Sequence, residues 1–143
     1  MTTYTATGSV VGVGVDAVDV ERFRQILARQ PGFAARFFTD IEQADANRSP
    51  DPSERLAARF AAKEAVMKAL GTGLGGFDLT EVEVRRTPGS DPTSGAPYLV
   101  LHGAAAALAE KHQAGQFHLS LTHTTQVAIA FVVAERSASC APS

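Results

Sequence analysis

The stretch from Ser53 to Leu70 constrains this chain most, because it reads as one long helix that carries a carboxylate on its apolar side. Apolar positions and alanines recur through it at helical spacing, and Gly71, Gly73, Gly75 and Gly76 stop it. At about 100° per residue, Phe60, Glu64, Met67 and Gly71 fall within one arc. A glutamate between a phenylalanine and a methionine is costly to bury unless something compensates its charge. Ala61, Ala62 and Ala65 imply close packing around this helix.

A second carboxylate sits at the end of the first apolar run. Val10 to Val18 is β-branched and alternates, so it reads as a strand with Val11, Val13, Val15 and Ala17 on one face and Gly12, Gly14 and Asp16 on the other. The glycine face is bare backbone ending in a carboxylate, a surface expected to let a ligand approach. Asp16 by itself also suits a strand end or a helix cap, and Glu64 with Lys68 at i,i+4 also suits a surface ion pair. Two carboxylates far apart in sequence, each turned toward the interior, point to a shared cation.

The 143 residues suit one domain, 45% hydrophobic and with a net charge of −2, which gives no general attraction to nucleic acid or to an anionic membrane. One cysteine, Cys140, allows no internal disulfide, and no run reaches the length of a membrane span. A cytoplasmic protein is the expectation. Asp19 suits an N-cap for a helix that Arg22 opens; Phe33, Phe37 and Phe38 suggest a short second helical piece. Asp45 to Ser53 reads as loop, Thr80 to Arg86 and Tyr98 to Leu101 as strands, Gly103 to Gly115 as a helix. Phe117 to Thr122 and Val127 to Val133 read as a hairpin. The order β-α-α-β-β-α-β-β predicts an α+β fold, a small antiparallel sheet with a long central helix. Residues 1–9 are expected to be an N-terminal extension, 10–135 the domain, and 136–143 a disordered tail.

Gly12-Val13-Gly14-Val15-Asp16-Ala17 satisfies the loose dinucleotide pattern G-x-G-x-x-A. Its context disagrees, because the glycines lie inside the strand and no second strand follows within reach of an acidic ribose ligand. Arg59, Lys63 and Lys68 instead run into the glycine-rich segment after the helix, where exposed N–H groups and cations can cradle phosphate without the order of a P-loop. His102, His112 and His118 have no metal-ligand spacing.

Three segments in this order resemble the holo-acyl-carrier-protein synthase branch of the 4′-phosphopantetheinyl transferase superfamily. They are Gly12-Val13-Gly14-Val15-Asp16 running to Val20-Glu21-Arg22, Arg59-Phe60-Ala61-Ala62-Lys63-Glu64-Ala65-Val66-Met67-Lys68-Ala69-Leu70-Gly71-Thr72-Gly73, and Ser120-Leu121-Thr122-His123-Thr124. The resemblance implies transfer of phosphopantetheine from coenzyme A to a serine of an acyl carrier protein, with release of adenosine 3′,5′-bisphosphate. It implies Asp16 and Glu64 as ligands to Mg²⁺ and as the catalytic pair. Arg59, Lys63, Lys68, Gly71, Thr72, His123 and Thr124 are implied as CoA contacts. Two candidates stay open for deprotonating the acceptor serine, Glu64 itself or a water held by the cation. The resemblance further implies a homotrimer with sites between subunits, His123 and Thr124 reaching the neighbour's carboxylates. The acidic carrier is expected to dock on Arg22, Arg24 and Arg29, with Arg36 beside them. Many relatives carry a lysine where this chain has Ala96, so one phosphate contact is expected to be absent or supplied elsewhere.

Overall fold

The first strand and the central helix fix everything else. In the computed structural model, which describes residues 1–3, 8–73, 76–88 and 95–137, strand β1 (Val10–Asp19) is followed by helices α1 (Val20–Arg29), α2 (Phe33–Phe37), α3 (Asp40–Asn47) and α4 (Pro52–Ala69). A 3₁₀ turn at Leu79–Glu81 leads to strands β2 (Val82–Arg86) and β3 (Pro97–Leu101). Helix α5 (Gly103–Lys111) and the hairpin of β4 (Ala114–His123) and β5 (Val127–Arg136) complete the chain. Two antiparallel sheets result, one ordered β1-β5-β4 and one pairing β2 with β3. The α+β class is as the sequence implies.

Helix α4 lies across the inner face of the larger sheet with very small residues at the contact. Ala61, Ala62, Ala65 and Ala69 share one core with Ala130, Val132 and Ala134 of β5, and Ala65 and Ala69 abut Gly12 and Gly14 of β1. A Cβ added at Gly12 would stand 1.9 Å from the Ala69 carbonyl oxygen, and one at Gly14 the same distance from that of Ala65. The glycine face of β1 is therefore a seat for a helix backbone. The ligand approach anticipated along it does not occur, since α4 already fills that space. The dinucleotide pattern fails for the same reason.

The opposite face of that sheet is open. Val13 and Val15 remain 56% and 52% exposed, and Phe131, paired across from Val15, remains 46% exposed. A second core joins Val20, Phe23, Phe38, Leu56 and Ala57, with Phe23, Phe33, Phe37 and Phe60 in edge-to-face and tilted contacts at 4.7–6.4 Å. It locks α1 and α2 against α4.

Boundaries depart from expectation at several places: β4 begins at Ala114, ahead of the expected Phe117, and a 3₁₀ turn occupies the start of the strand expected from Thr80. The segment read as loop from Asp45 begins inside α3, whose start carries a complete capping box: Glu42 N–H donates to Thr39 Oγ1, and Thr39 N–H to Glu42 Oε1. The helix read to Gly115 ends at Lys111, where Gln113 takes a positive φ of 62° and turns the chain into β4. Parts of the glycine-rich segment (residues 74–75), of the turn before β3 (89–94), of the N-terminal extension (4–7) and of the expected tail (138–143) lie outside the described residues.

Candidate functional site

The two carboxylates that the sequence singles out line one cavity. It measures 470 Å³ and is walled by Asp16, Ala17, Val18 and Asp19 of β1, by Arg22, Phe23 and Ile26 of α1, and by Phe60 and Glu64 of α4. The inward face of β1 delivers Asp16, two residues beyond Gly14, where the strand runs past α4. Phe60 and Glu64, one helical turn apart, face it from the helix. The close glycine–alanine seat sets the distance between strand and helix, and so sets how near the carboxylates come.

Burial and the neighbouring Asp16 both push the Glu64 carboxyl above the ordinary glutamate range, while Lys68 pulls it back. Among the described residues no hydrogen bond or ion pair reaches Glu64. Lys68 passes it by and donates to the Val15 carbonyl at 2.9 Å and to Asp16 Oδ1 at 3.3 Å. The i,i+4 ion pair allowed by the sequence does not form. Two hard carboxylates facing one space, one of them unpartnered, suit a small divalent cation that keeps room for phosphate oxygens and water. No group of three or more His, Cys, Asp or Glu side chains is gathered for a metal among the described residues.

A second cavity, 240 Å³, is cationic. Glu54, Arg55, Ala58 and Arg59 of α4, Arg86 of β2, Pro97 of β3, and Leu121 and His123 of β4 line it. Arg59 is 1% exposed and pairs with Asp45 of α3; burial lowers its pKa, and Arg55 lowers it further. Arg86 is likewise lowered by burial and by Arg55 and Arg59, while its Nη1 donates to the Gly95 carbonyl at 3.0 Å. His123 Nδ1 lies 3.3 Å from Glu54. Asp45 compensates Arg59 and, at 3.8 Å, Arg86, and the positive charge left around this small space suits an anion such as a phosphate monoester. Arg55 and Arg86 were not singled out from the sequence. Arg55 carried a signal, one turn before Arg59 on the same helix; Arg86 carried none until β2 was seen to bring it there.

The remaining expected contacts separate. Thr124 caps the hairpin tip, its Oγ1 accepting from Gln126 N–H at 3.1 Å and Val127 N–H at 3.0 Å, which leaves the exposed hydroxyl free to donate outward. Gly71, at φ +67°, is the left-handed residue that ends α4: its N–H donates to the Lys68 carbonyl and that of Thr72 to the Met67 carbonyl. Lys63 is a correction. It is fully buried, pairs with Glu42 at 2.7 Å, and gives its other two protons to the Leu79 and Val82 carbonyls at 2.8 and 2.6 Å. With all three donors spent inside the fold, it has none for a phosphate. Arg24, expected at a docking surface, is already paired with Glu21 and with Asp51. Arg22 and Arg29 are exposed, and so is Arg36, whose guanidinium lies 5.1 Å from the centroid of the Phe37 ring.

The sequence model of the 4′-phosphopantetheinyl transferase superfamily matches residues 12–132. The holo-[acyl-carrier-protein] synthase of Frankia alni is 50% identical over 127 residues, 89% of this chain and 98% of that relative. The crystal structure of the holo-[acyl-carrier-protein] synthase from Neisseria meningitidis superposes with a TM-score of 0.78 at 29% identity, covering 89% of this chain and 99% of that one. That of the Bacillus anthracis enzyme, in complex with CoA (3′,5′-ADP), gives a TM-score of 0.72 at 32% identity, covering 91% and 100%.

Proposed function

This chain belongs to the 4′-phosphopantetheinyl transferase superfamily, alongside the holo-[acyl-carrier-protein] synthases, and we propose that it transfers the 4′-phosphopantetheine arm of CoA to a serine of an apo acyl carrier protein. The serine oxygen forms a bond to the phosphorus that bears the pantetheine, the bridging P–O bond breaks, and adenosine 3′,5′-bisphosphate leaves with the electron pair. The observation that carries this reading is the pairing of Asp16 with Glu64 in one cavity.

These two carboxylates would hold Mg²⁺, which when bound neutralises charge building on the pyrophosphate. Lys68, at the same rim, supplies a mobile ammonium to a phosphate oxygen. Glu64 is the group placed to accept the serine proton, having no hydrogen-bond partner of its own. Phe60, Phe23 and Ile26 exclude water from the wall opposite. The arginine cavity formed by Arg55, Arg59 and Arg86 with His123 suits the nucleotide phosphate of CoA. Arg55 and Arg86 there provide the charge that a lysine at Ala96 would have given. Gly71 and Thr72 turn the backbone at the end of α4 toward the same ligand, and Thr124 offers its hydroxyl from the hairpin tip.

The exposed face of Val13, Val15 and Phe131 supports assembly as a trimer, since an apolar sheet face of this kind is expected to be covered by another subunit. The arginine and carboxylate cavities are separate within one chain, which supports sites completed between subunits. Arg22 lines the carboxylate cavity and, with Arg29, faces outward from α1, so an acidic carrier docking there brings its serine to Glu64.

Incubation with CoA, Mg²⁺ and an apo acyl carrier protein, followed by mass spectrometry of the carrier, tests the reading. A phosphopantetheine-sized gain abolished by EDTA is the expected result. A gain unaffected by EDTA would remove the metal; no gain across several apo carriers would remove the reaction.

A further inference from the structure

Resting on the reading that Asp16 and Glu64 share a divalent cation beside the CoA phosphates, we infer that Lys68 is a placeholder for that cation and so couples metal binding to CoA binding. The ammonium crosses from α4 to β1 and lies 3.3 Å from Oδ1 of Asp16, one of the two carboxylates that would hold the metal. Its side chain is 54% exposed while that of Asp16 is 20% exposed, so the ammonium sits at the mouth and the carboxylate sits behind it. It can withdraw without disturbing the core. The Val15 carbonyl, at 2.9 Å, tethers it at the rim and does not compete for the metal's carboxylates.

Charge counting gives the consequence. Asp16, Glu64 and Lys68 sum to −1, and a divalent cation added to them gives +1. A metal held by these carboxylates on its own would compete with the ammonium for Asp16 and leave it without a counterion. A pyrophosphate arriving with the metal would supply that counterion, so the ammonium could move from Asp16 to a phosphate oxygen. Metal and CoA then each tighten the binding of the other by one common factor, as linkage requires. Lys68 is a positioning residue in this step before it is a phosphate contact.

Titration calorimetry with Mn²⁺ as the probe, on the full chain without carrier protein, tests this. In the wild-type protein Mn²⁺ is expected to bind weakly alone and more tightly at saturating CoA. In Lys68→Met, Mn²⁺ alone is expected to bind about two- to fivefold more tightly, the range for loss of a half-exposed competing ion pair. The gain is expected to vanish at saturating CoA, so that the coupling factor falls toward one; Lys68→Gln serves equally if methionine disturbs the exposed helix end. Unchanged Mn²⁺ affinity in both variants would overturn the inference. So would an equal gain with and without CoA, which would mark general repulsion and no competition for Asp16. Absence of Mn²⁺ uptake by wild type and variants in either condition would instead overturn the shared-cation reading beneath it.

Discussion

Glu64 and Lys63 are adjacent in sequence, yet α4 turns one into a cavity and the other into the core. Folding disfavours the Glu64 charge: burial and Asp16 raise its pKa, and Lys68 offsets part of the rise. The contribution of Glu64 to stability without metal is therefore greatest below the ordinary glutamate pKa. It falls as pH rises from there to the raised value, above which the deficit is constant. Glu64→Gln should raise the melting temperature in metal-free buffer near neutral pH while cutting transfer by about 100-fold or more. A lower melting temperature would show that Glu64 contributes to the fold and does not strain it. Lys63 has the opposite character. Burial lowers its pKa, Glu42 opposes that shift, two backbone carbonyls take its other protons, and Glu42 itself accepts from Val84 N–H at 3.0 Å. Lys63→Met leaves that buried carboxylate without its counterion and should cost about 3–5 kcal/mol in a urea melt. A loss below about 1 kcal/mol would mean that Glu42 is solvated or protonated once its partner is gone.

At the scale of elements, the contact of β1 with α4 positions the site. Gly14→Ala would drive a methyl to 1.9 Å from the Ala65 carbonyl oxygen, so strand and helix must separate, and with them Asp16 and Glu64. The expected cost is at least about 1–3 kcal/mol, with a matching loss of metal affinity. Gly73→Ala, where a Cβ meets nothing within 4 Å, should leave the melting temperature unchanged and serves as the control. Equal stability of the two variants would mean that helix and strand can slide apart freely. The extent of α4 was readable from its glycine stop and its alanines. Helix α3 was missed although Thr39-x-x-Glu42 stood in the sequence, because Asp45 to Ser53 carries turn-forming residues and hid the helix ahead of them. The partner of Lys63, Glu42, lies on α3, so its pairing shows only once that helix is in place.

At the scale of the whole molecule, the proposed trimer would give one exposed sheet face and one hairpin tip their roles. Val15→Glu and Phe131→Glu, both on the exposed face, should give a folded monomer by light scattering, with transfer activity lost. A wild-type protein already monomeric at micromolar concentration would sink the trimer. Subunit mixing tests the shared site directly. Glu64→Gln and His123→Ala, each inactive alone, should regain about a quarter of wild-type activity when refolded together, because a random trimer leaves that share of its sites with both residues intact. No recovery would place His123 in the same subunit's site as Glu64.

The sequence alone determined the elements that local periodicity and punctuation specify, namely the strand of valines and glycines, the long helix and its stop, and the final hairpin. It also singled out Asp16 and Glu64, which the fold brings to one cavity, because a charge set among apolar neighbours is visible in one dimension. Only the tertiary structure decided which face of β1 is inside, since alternation marks two faces without saying which one a helix covers. It likewise decided the fate of each cation: Lys63 into the core, Arg59 with Arg55 and Arg86 around an anion-sized space, Lys68 onto Asp16. Helical spacing gives the direction in which a side chain leaves the axis. What it meets there depends on elements brought in from elsewhere in the chain.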